Sequence, residues 1–294
     1  GSLKMRKLFS LRTGVIFLAA GLVLMLVAGA QAGFSWEGLR TTGAYEEKNL
    51  VYAADIPSLT IDSRNTVVQL VPSTGDSIEI QYWENDDKTY NISEASDGSV
   101  RIAENTKWKW FSFNIPFGLD PEEHATVIGV PEGYKGDLKI KTSNAMIELR
   151  DLRTEGAVTL KTSNGMVAVE KLEAKSLNAN SSNGRIELDA VKLAGDAVLD
   201  TSNGRVQLTD VEAANLSADS SNNSVNLTRV LIEGQLKAKT SNGGIHVENI
   251  LAPEIALNTS NASITGSVDA DSSEYAIEGK TSNADVRLPV GNDS

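Results

Sequence analysis

The sequence predicts an all-β fold: a β-solenoid, parallel β-helix-like, of coils about 19.5 residues long, preceded by one N-terminal hydrophobic helix. Three observations predict it. A three-residue word, Thr/Ser-Ser-Asn, recurs through the C-terminal half. Apolar residues keep fixed offsets from its Asn. One long uncharged stretch, Thr13 to Trp36, precedes everything else.

The Asn of the word stands at Asn144, Asn164, Asn183, Asn203, Asn222, Asn242, Asn261 and Asn283, with spacings of 20, 19, 20, 19, 20, 19 and 22. Six residues before it come Leu138, Val158, Leu177, Ala197, Leu216, Leu236, Ile255 and Ile277. Three after it come Ile147, Val167, Ile186, Val206, Val225, Ile245, Ile264 and Val286. Offsets −6, −4 and −2 share one face of a strand, and +3 and +5 share one face of the next. Between them, at +1, stands a small residue, Gly165 or Ala145 for example, where a corner is expected. On this register the Thr or Ser at −2 points inward, the Ser at −1 points outward, and the Asn marks the bend.

The alternating spacing has a cause. Linkers between coils alternate between five residues with Gly ("RTEGA", "KLAGD", "LIEGQ") and four without ("EAKS", "EAAN", "LAPE"). The true unit is therefore a 39-residue pair of coils with two kinds of corner. Two short strands with one apolar face cannot offset the entropy of ordering their backbone, so neighbours must stack to close a core. The rival is a meander in which each Asn-Gly is a two-residue hairpin turn. It leaves a broad apolar sheet face that no amphipathic helix covers, and gives no reason for the outward Ser.

Ahead of the eight regular coils, "SLTIDSRNTVVQL" fits the template, with Leu59, Ile61, Ser63, Asn65, Val68 and Leu70 at −6, −4, −2, 0, +3 and +5. It reads as a degenerate coil. Asn65 lies 79 residues before Asn144, close to four periods. The intervening residues read as strands without the word. They also hold the aromatic cluster "WKWFSFNIPF" with Trp108, Trp110, Phe111 and Phe113. That cluster is expected to cap the open end of the core; its alternative role is a carbohydrate- or partner-binding platform. The expected organisation is a basic cytoplasmic N-terminus (1–12), a transmembrane anchor or signal segment (13–36), a linker (37–55), a β-rich cap with the degenerate coil (56–135) and the regular solenoid (136–290).

Composition narrows function. The 294 residues contain no cysteine and two histidines, which removes disulfides, thiolate zinc sites and a cysteine nucleophile. Net charge is −12, and the first twelve residues carry four positive charges, Lys4, Arg6, Lys7 and Arg12. A body this acidic argues against nucleic acid as a partner. Basic residues before the apolar run and acidic ones after it predict a single-pass segment with an extracytoplasmic C-terminal domain. The alternative is cleavage near Ala32 and secretion.

No His or Lys keeps register with the repeated Ser, so a nucleophile at that position lacks its base. Asp200 and Asp219, both at −3 on adjacent coils, form the best acidic pair for a carbohydrate-active enzyme such as a polysaccharide lyase or hydrolase. Their row, with Lys141, Lys161 and Lys239, reads better as alternating surface charge. His246, at +4, is expected to face solvent. No cofactor and no metal site is expected. The eight Asn are expected to form a structural ladder along the axis.

The "TSNG/SSNG" coils, led by "VIGVPEGYKGDLKIKTSN" and by an N-terminal segment of the type "GVIFLAAGLVLMLVAGAQAGF", resemble the bacterial putative-adhesin domain family of unknown function. The resemblance covers roughly residues 50–290. It implies a β-solenoid displayed at the cell envelope, and it brings no catalytic residues. The function expected for the chain is a non-enzymatic, membrane-tethered adhesin, scaffold or interaction protein, with an envelope protein or glycan as partner.

Overall fold

In the computed structural model the described residues are 44–106, 124–268 and 276–288. The first seven strands are β1 (Glu46–Ala53), β2 (Ser58–Asp62), β3 (Val68–Pro72), β4 (Ser77–Glu84), β5 (Lys88–Glu94), β6 (Val100–Thr106) and β7 (Thr126–Val130). Regular coils follow, two strands each: β8 (Asp137–Lys141) with β9 (Ile147–Arg153), β10 (Ala157–Thr162) with β11 (Val167–Ala174), β12 (Ser176–Ser181) with β13 (Ile186–Leu193), and β14 (Ala197–Thr201) with β15 (Val206–Ala213). The last are β16 (Leu216–Ser220) with β17 (Val225–Ile232), β18 (Gln235–Thr240) with β19 (Ile245–Leu251), β20 (Glu254–Thr259) with β21 (Ile264–Val268), and β22 (Ala276–Thr281) with β23 (Val286–Arg287). The first strands of successive coils stack in parallel in one sheet, and the second strands stack in parallel in another. This is the expected solenoid. A meander would pair β10 with β11; instead β10 pairs with β8 and β12.

Burial follows the offsets. Residues at −6, −4, +3 and +5 line one continuous aliphatic core running from Leu59 to Val268. The second strand of each coil departs from simple alternation: in β11 the burial order from Val167 is inward, outward, inward, outward, outward, inward. The sixth and seventh residues after the Asn both face solvent, and the seventh has positive φ: Asp151 (53°), Lys171 (53°), Ala190 (55°), Asp210 (53°), Arg229 (52°) and Asn249 (54°). One left-handed residue per coil resets the parity, so that Leu152, Leu172, Val191, Val211, Val230 and Ile250 return to the core. The ladder skips it, pairing Glu170 with Asp189 and then Leu172 with Val191.

The repeated word is explained at the first corner. The hydroxyl at −2 is buried and does two things. It accepts the N–H of the +1 residue of its own coil, as in Gly165 to Thr162, Gly184 to Ser181, Gly204 to Thr201 and Gly243 to Thr240, at 2.8–3.1 Å. It also donates to the +1 carbonyl of the preceding coil, as in Thr162 to Ala145, Ser181 to Gly165, Thr201 to Gly184 and Thr259 to Gly243, at 2.9–3.3 Å. That carbonyl lies where a Cβ on Gly165, Gly184, Gly204 or Gly243 would stand. At these four corners glycine is thus required by close approach between coils, since none of the four has positive φ; Asn223 holds the same +1 position in another coil.

At the bend, each Asn donates its Nδ2 to the Oδ1 of the Asn one coil earlier. The chain of amides runs unbroken from Asn283 to Asn65, every link 2.6–2.8 Å. The expected Asn ladder is present, with Asn65 as its first member.

The second corner carries the 20/19 alternation. Ala174 pairs with Leu193 in one sheet and Leu177 with Ala197 in the other. Two residues, Lys175 and Ser176, therefore lie opposite three, Ala194 to Asp196. The extra residue of each Gly-bearing linker is absorbed there without disturbing either sheet.

At the N-terminal end, stacking order departs from chain order. Coil β2–β3 packs directly on β8–β9, so although Asn65 and Asn144 are 79 positions apart no coil lies between theirs in the stack. The chain first lays down β4 and β5, then inserts β6–β7 as a parallel coil on the far side of β2–β3. β5 covers β6, and β4 covers β7, both antiparallel. β1 then pairs with β4. Residues 46–53, assigned to a linker by sequence, are this outermost strand; their alternating half-buried positions, with Leu50 and Tyr52 packed on the core, are its signature. Where the chain passes from β7 to β8, buried Tyr134 fills the corner and donates its hydroxyl to the Ile56 carbonyl at 3.0 Å; burial pushes its pKa to about 12.

Two predictions follow from the corner and the bend. Thr201→Val leaves the Gly204 N–H and the Gly184 carbonyl without their partner, so it costs about 2–3 kcal/mol, whereas Asn203→Ala, at an exposed site, costs about 1 kcal/mol. Chemical denaturation of the two variants reads the difference. Ala190→Gly relieves a left-handed Cβ and stabilises by about 1 kcal/mol, visible as a higher denaturation midpoint.

Candidate functional site

The sharpest cluster of polar chemistry lies in the cap. β6 pairs with β2 so that Val100 matches Leu59 and Ile102 matches Ile61. Glu104 therefore occupies the inward −2 position of the topmost coil, where the others carry Thr or Ser. Its buried carboxylate accepts from Ser63 Oγ (2.5 Å), Arg64 N–H (2.8 Å), Thr106 Oγ1 (2.9 Å) and Thr66 Oγ1 (3.3 Å). Lys88 Nζ donates to Thr66 Oγ1 at 2.8 Å and lies 5.6 Å from the ring centres of both Tyr45 and Tyr90. Tyr45 stacks on His124 at 4.1 Å, and Trp83 meets His124 edge-on at 5.0 Å. Burial raises the Glu104 pKa, but the Arg64 N–H and the Ser63 and Thr106 hydroxyls outweigh it, leaving it below its ordinary value. Burial holds Lys88 below its ordinary value, against the pull of Glu104. Both carboxylate oxygens of Glu104 are engaged from within the protein, three donors on Oε2 and Thr106 on Oε1, so this cluster closes the core.

Asp200 and Asp219 are brought side by side, in register on β14 and β16. Burial first, then the Asp200 carboxylate, raise the Asp219 pKa, against Ser217 and Lys239. Asn180 donates to Asp200 at 3.2 Å and Ser217 to Asp219 at 3.3 Å. His246 is exposed, as expected, and its Nδ1 lies 3.1 Å from Thr265 Oγ1 on the next coil. The serines at −1 from Ser163 to Ser282 are exposed beside the Asn ladder. Trp108, Trp110, Phe111 and Phe113 lie outside the described residues. Among the described residues no group of three or more His, Cys, Asp or Glu is placed to hold a metal ion.

The outer face of the second-strand sheet bears a trough of about 380 Å³ between the +4 and +6 rows. Glu148, Arg150, Glu170, Glu187 and Asp189 line it, and the short Ala168 between Glu148 and Glu187 leaves its floor open. Arg150 pairs with Glu148, which also accepts from Gln69 at 3.0 Å.

Sequence reading missed the cap cluster, although its signal was present: extending the offsets to "SVRIAEN" places Glu104 at −2. It also missed the left-handed row, whose signal is two consecutive polar residues between inward positions, as in Glu170-Lys171.

Glu104 makes acid sensitivity predictable. A carboxylate whose folded pKa is lowered contributes stability above its unfolded value, 4.5, and loses it as pH falls through the folded value. Glu104→Gln should cost about 1–3 kcal/mol near neutral pH, and the gap to wild type should narrow on acidification beneath 4.5. Denaturant titrations across that range measure both.

No curated protein matches the chain. Among solved structures, it is similar to a putative adhesin from Parabacteroides distasonis ATCC 8503 at 14% identity, covering 84% of this chain and 98% of that one, with a TM-score of 0.44. A putative adhesin from Bacteroides fragilis NCTC 9343 matches at 11% identity, 84% and 98% coverage and a TM-score of 0.40. A putative cell adhesion protein from Clostridium sporogenes ATCC 15579 matches at 10% identity, 84% and 96% coverage and a TM-score of 0.30. The family model described as Toastrack DUF4097 matches residues 56–294, and with its strands stacked coil upon coil around one core, the chain belongs to that family.

Proposed function

We propose that this protein is a non-enzymatic, membrane-tethered component of the cell envelope, whose solenoid stands outside the cytoplasm as an adhesin, scaffold or interaction surface for an envelope protein or glycan. The observation that carries the reading is the contrast between interior and exterior. Among the described residues no buried side-chain nitrogen or oxygen lacks a partner. The outward rows, by contrast, present one side chain per coil at roughly 4.8 Å intervals. Such a surface recognises an extended partner by repetition of small contacts.

The tether rests on the uncharged Thr13–Trp36 stretch and its flanking charges. Among the described residues no helix is long and apolar enough to cross a membrane, and residues 13–36 lie outside them.

The absence of cysteine makes the topology testable. Ser202→Cys places a single thiol at an exposed corner. In intact cells expressing the full chain, a membrane-impermeant maleimide should label it, and the labelled protein should sediment with membranes. Labelling only after lysis contradicts display outside the cytoplasm; labelled protein free in the medium contradicts the tether.

A further inference from the structure

The two ends of the stack differ. At the N-terminal end both outermost parallel strands are covered by antiparallel ones, β5 on β6 and β4 on β7. At the C-terminal end β22 and β23 are the last strands of their sheets, and among the described residues nothing pairs with their outer edges. The core there is only partly covered: Val286 is 41% exposed, and Ile277 and Leu288 are half-buried.

The charges along these two edges are self-complementary. On β22 the outward residues Glu278 and Lys280 flank Gly279 and form an ion pair with each other. At β23, Asp285 just before the strand and Arg287 within it flank Val286 and pair at 2.8 Å. Gly279 and Val286 face each other across the core: a Cβ on Gly279 would lie 3.0 Å from Val286 Cγ1. A single two-fold axis perpendicular to both sheets can therefore run just beyond the edge strands, midway between Gly279 and Gly279 of a second copy and midway between Val286 and Val286 of that copy. Rotation about it sets β22 antiparallel to β22 of a second copy and β23 antiparallel to β23. Glu278 then lies opposite the partner's Lys280, and Asp285 opposite the partner's Arg287, each twice by symmetry. Val286 then meets Val286 of the second copy, and the partly covered end of the core at Ile277 and Leu288 is closed against that copy.

We propose that the C-terminal edges of β22 and β23 are a homodimer interface, in which two copies join end to end about this axis and continue both sheets. An isologous contact of this kind closes after two copies and does not grow into a fibre. Opposite charges directly across an antiparallel pair favour it, and like charges oppose it.

Charge reversal tests the register. Two differently tagged full-length chains, co-expressed and purified in detergent, are scored for co-purification, with circular dichroism to confirm folding. Wild-type copies should co-purify. Glu278→Lys with itself, and Lys280→Glu with itself, should each lose association about tenfold or more, because every pair at these positions becomes like-charged. Mixing the two variants makes every such pair opposite in sign again and should restore association. Wild-type chains that do not associate, single variants that associate as wild type does, or a mixed pair that fails to recover, would each overturn the proposal.

Discussion

The structure depends on one buried hydroxyl per coil. At the corners of Gly165, Gly184, Gly204 and Gly243 the backbone turns inside a space too tight for a Cβ, which leaves an N–H and a carbonyl facing the core, away from water. An unpaired group there costs about 1–3 kcal/mol. The Thr or Ser at −2 satisfies both, taking the N–H of its own coil and giving to the carbonyl of the coil before. Turning the chain and joining the coils are thus a single interaction. The aliphatic rows mix Val, Leu, Ile and Ala, but every regular coil keeps a short hydroxyl side chain at −2, followed three residues on by Gly, by Ala or, once, by Asn223.

The same argument sets how much the sequence disclosed. Strand positions, inward rows, the Asn ladder and the two kinds of second corner were legible because each repeats with the period of the coil, and a feature repeated eight times stands out from propensity noise. The left-handed row repeats as well, yet it is held by Asp, Lys, Ala, Arg and Asn in turn, so residue type conceals it and only the lost alternation betrays it. The cap was the least legible part. It occurs once, its partners are 41 and 79 residues apart, and strand order there does not follow chain order. Of the candidate site residues, Asp200 and Asp219 were placed together by register alone, whereas the Glu104–Lys88 cluster depends on an insertion that periodicity does not reveal.

The cap also shows how a repeating architecture is ended. A parallel stack exposes the same unsatisfied edge and the same open core at each terminus. At the N-terminal end the protein reverses strand direction and replaces the bridging hydroxyl with a carboxylate, whose two oxygens absorb the donors that no further coil will take. Aromatic rings and a lysine then seal what remains. These chemical differences mark Glu104 as a terminator of the stack and distinguish it from acids on the outer rows, which face water.

The departure of stacking order from chain order constrains how the protein is made. Coil β2–β3 leaves the ribosome before any other, yet its two neighbours are β6–β7 and β8–β9, so it cannot be buried on either side until much later residues have been synthesised. Each later coil closes a loop of 19 to 22 residues on its predecessor, whereas joining Asn144 to Asn65 closes 79. Two doublings of loop length add only about 1.2 kcal/mol of closure entropy, a small equilibrium cost. The kinetic cost is larger in kind: nascent β2–β3 must wait with both aliphatic edges bare. Elongation from the regular coils toward the C-terminus can proceed by local docking, and the N-terminal seal is set by the slowest, most non-local step of the whole chain.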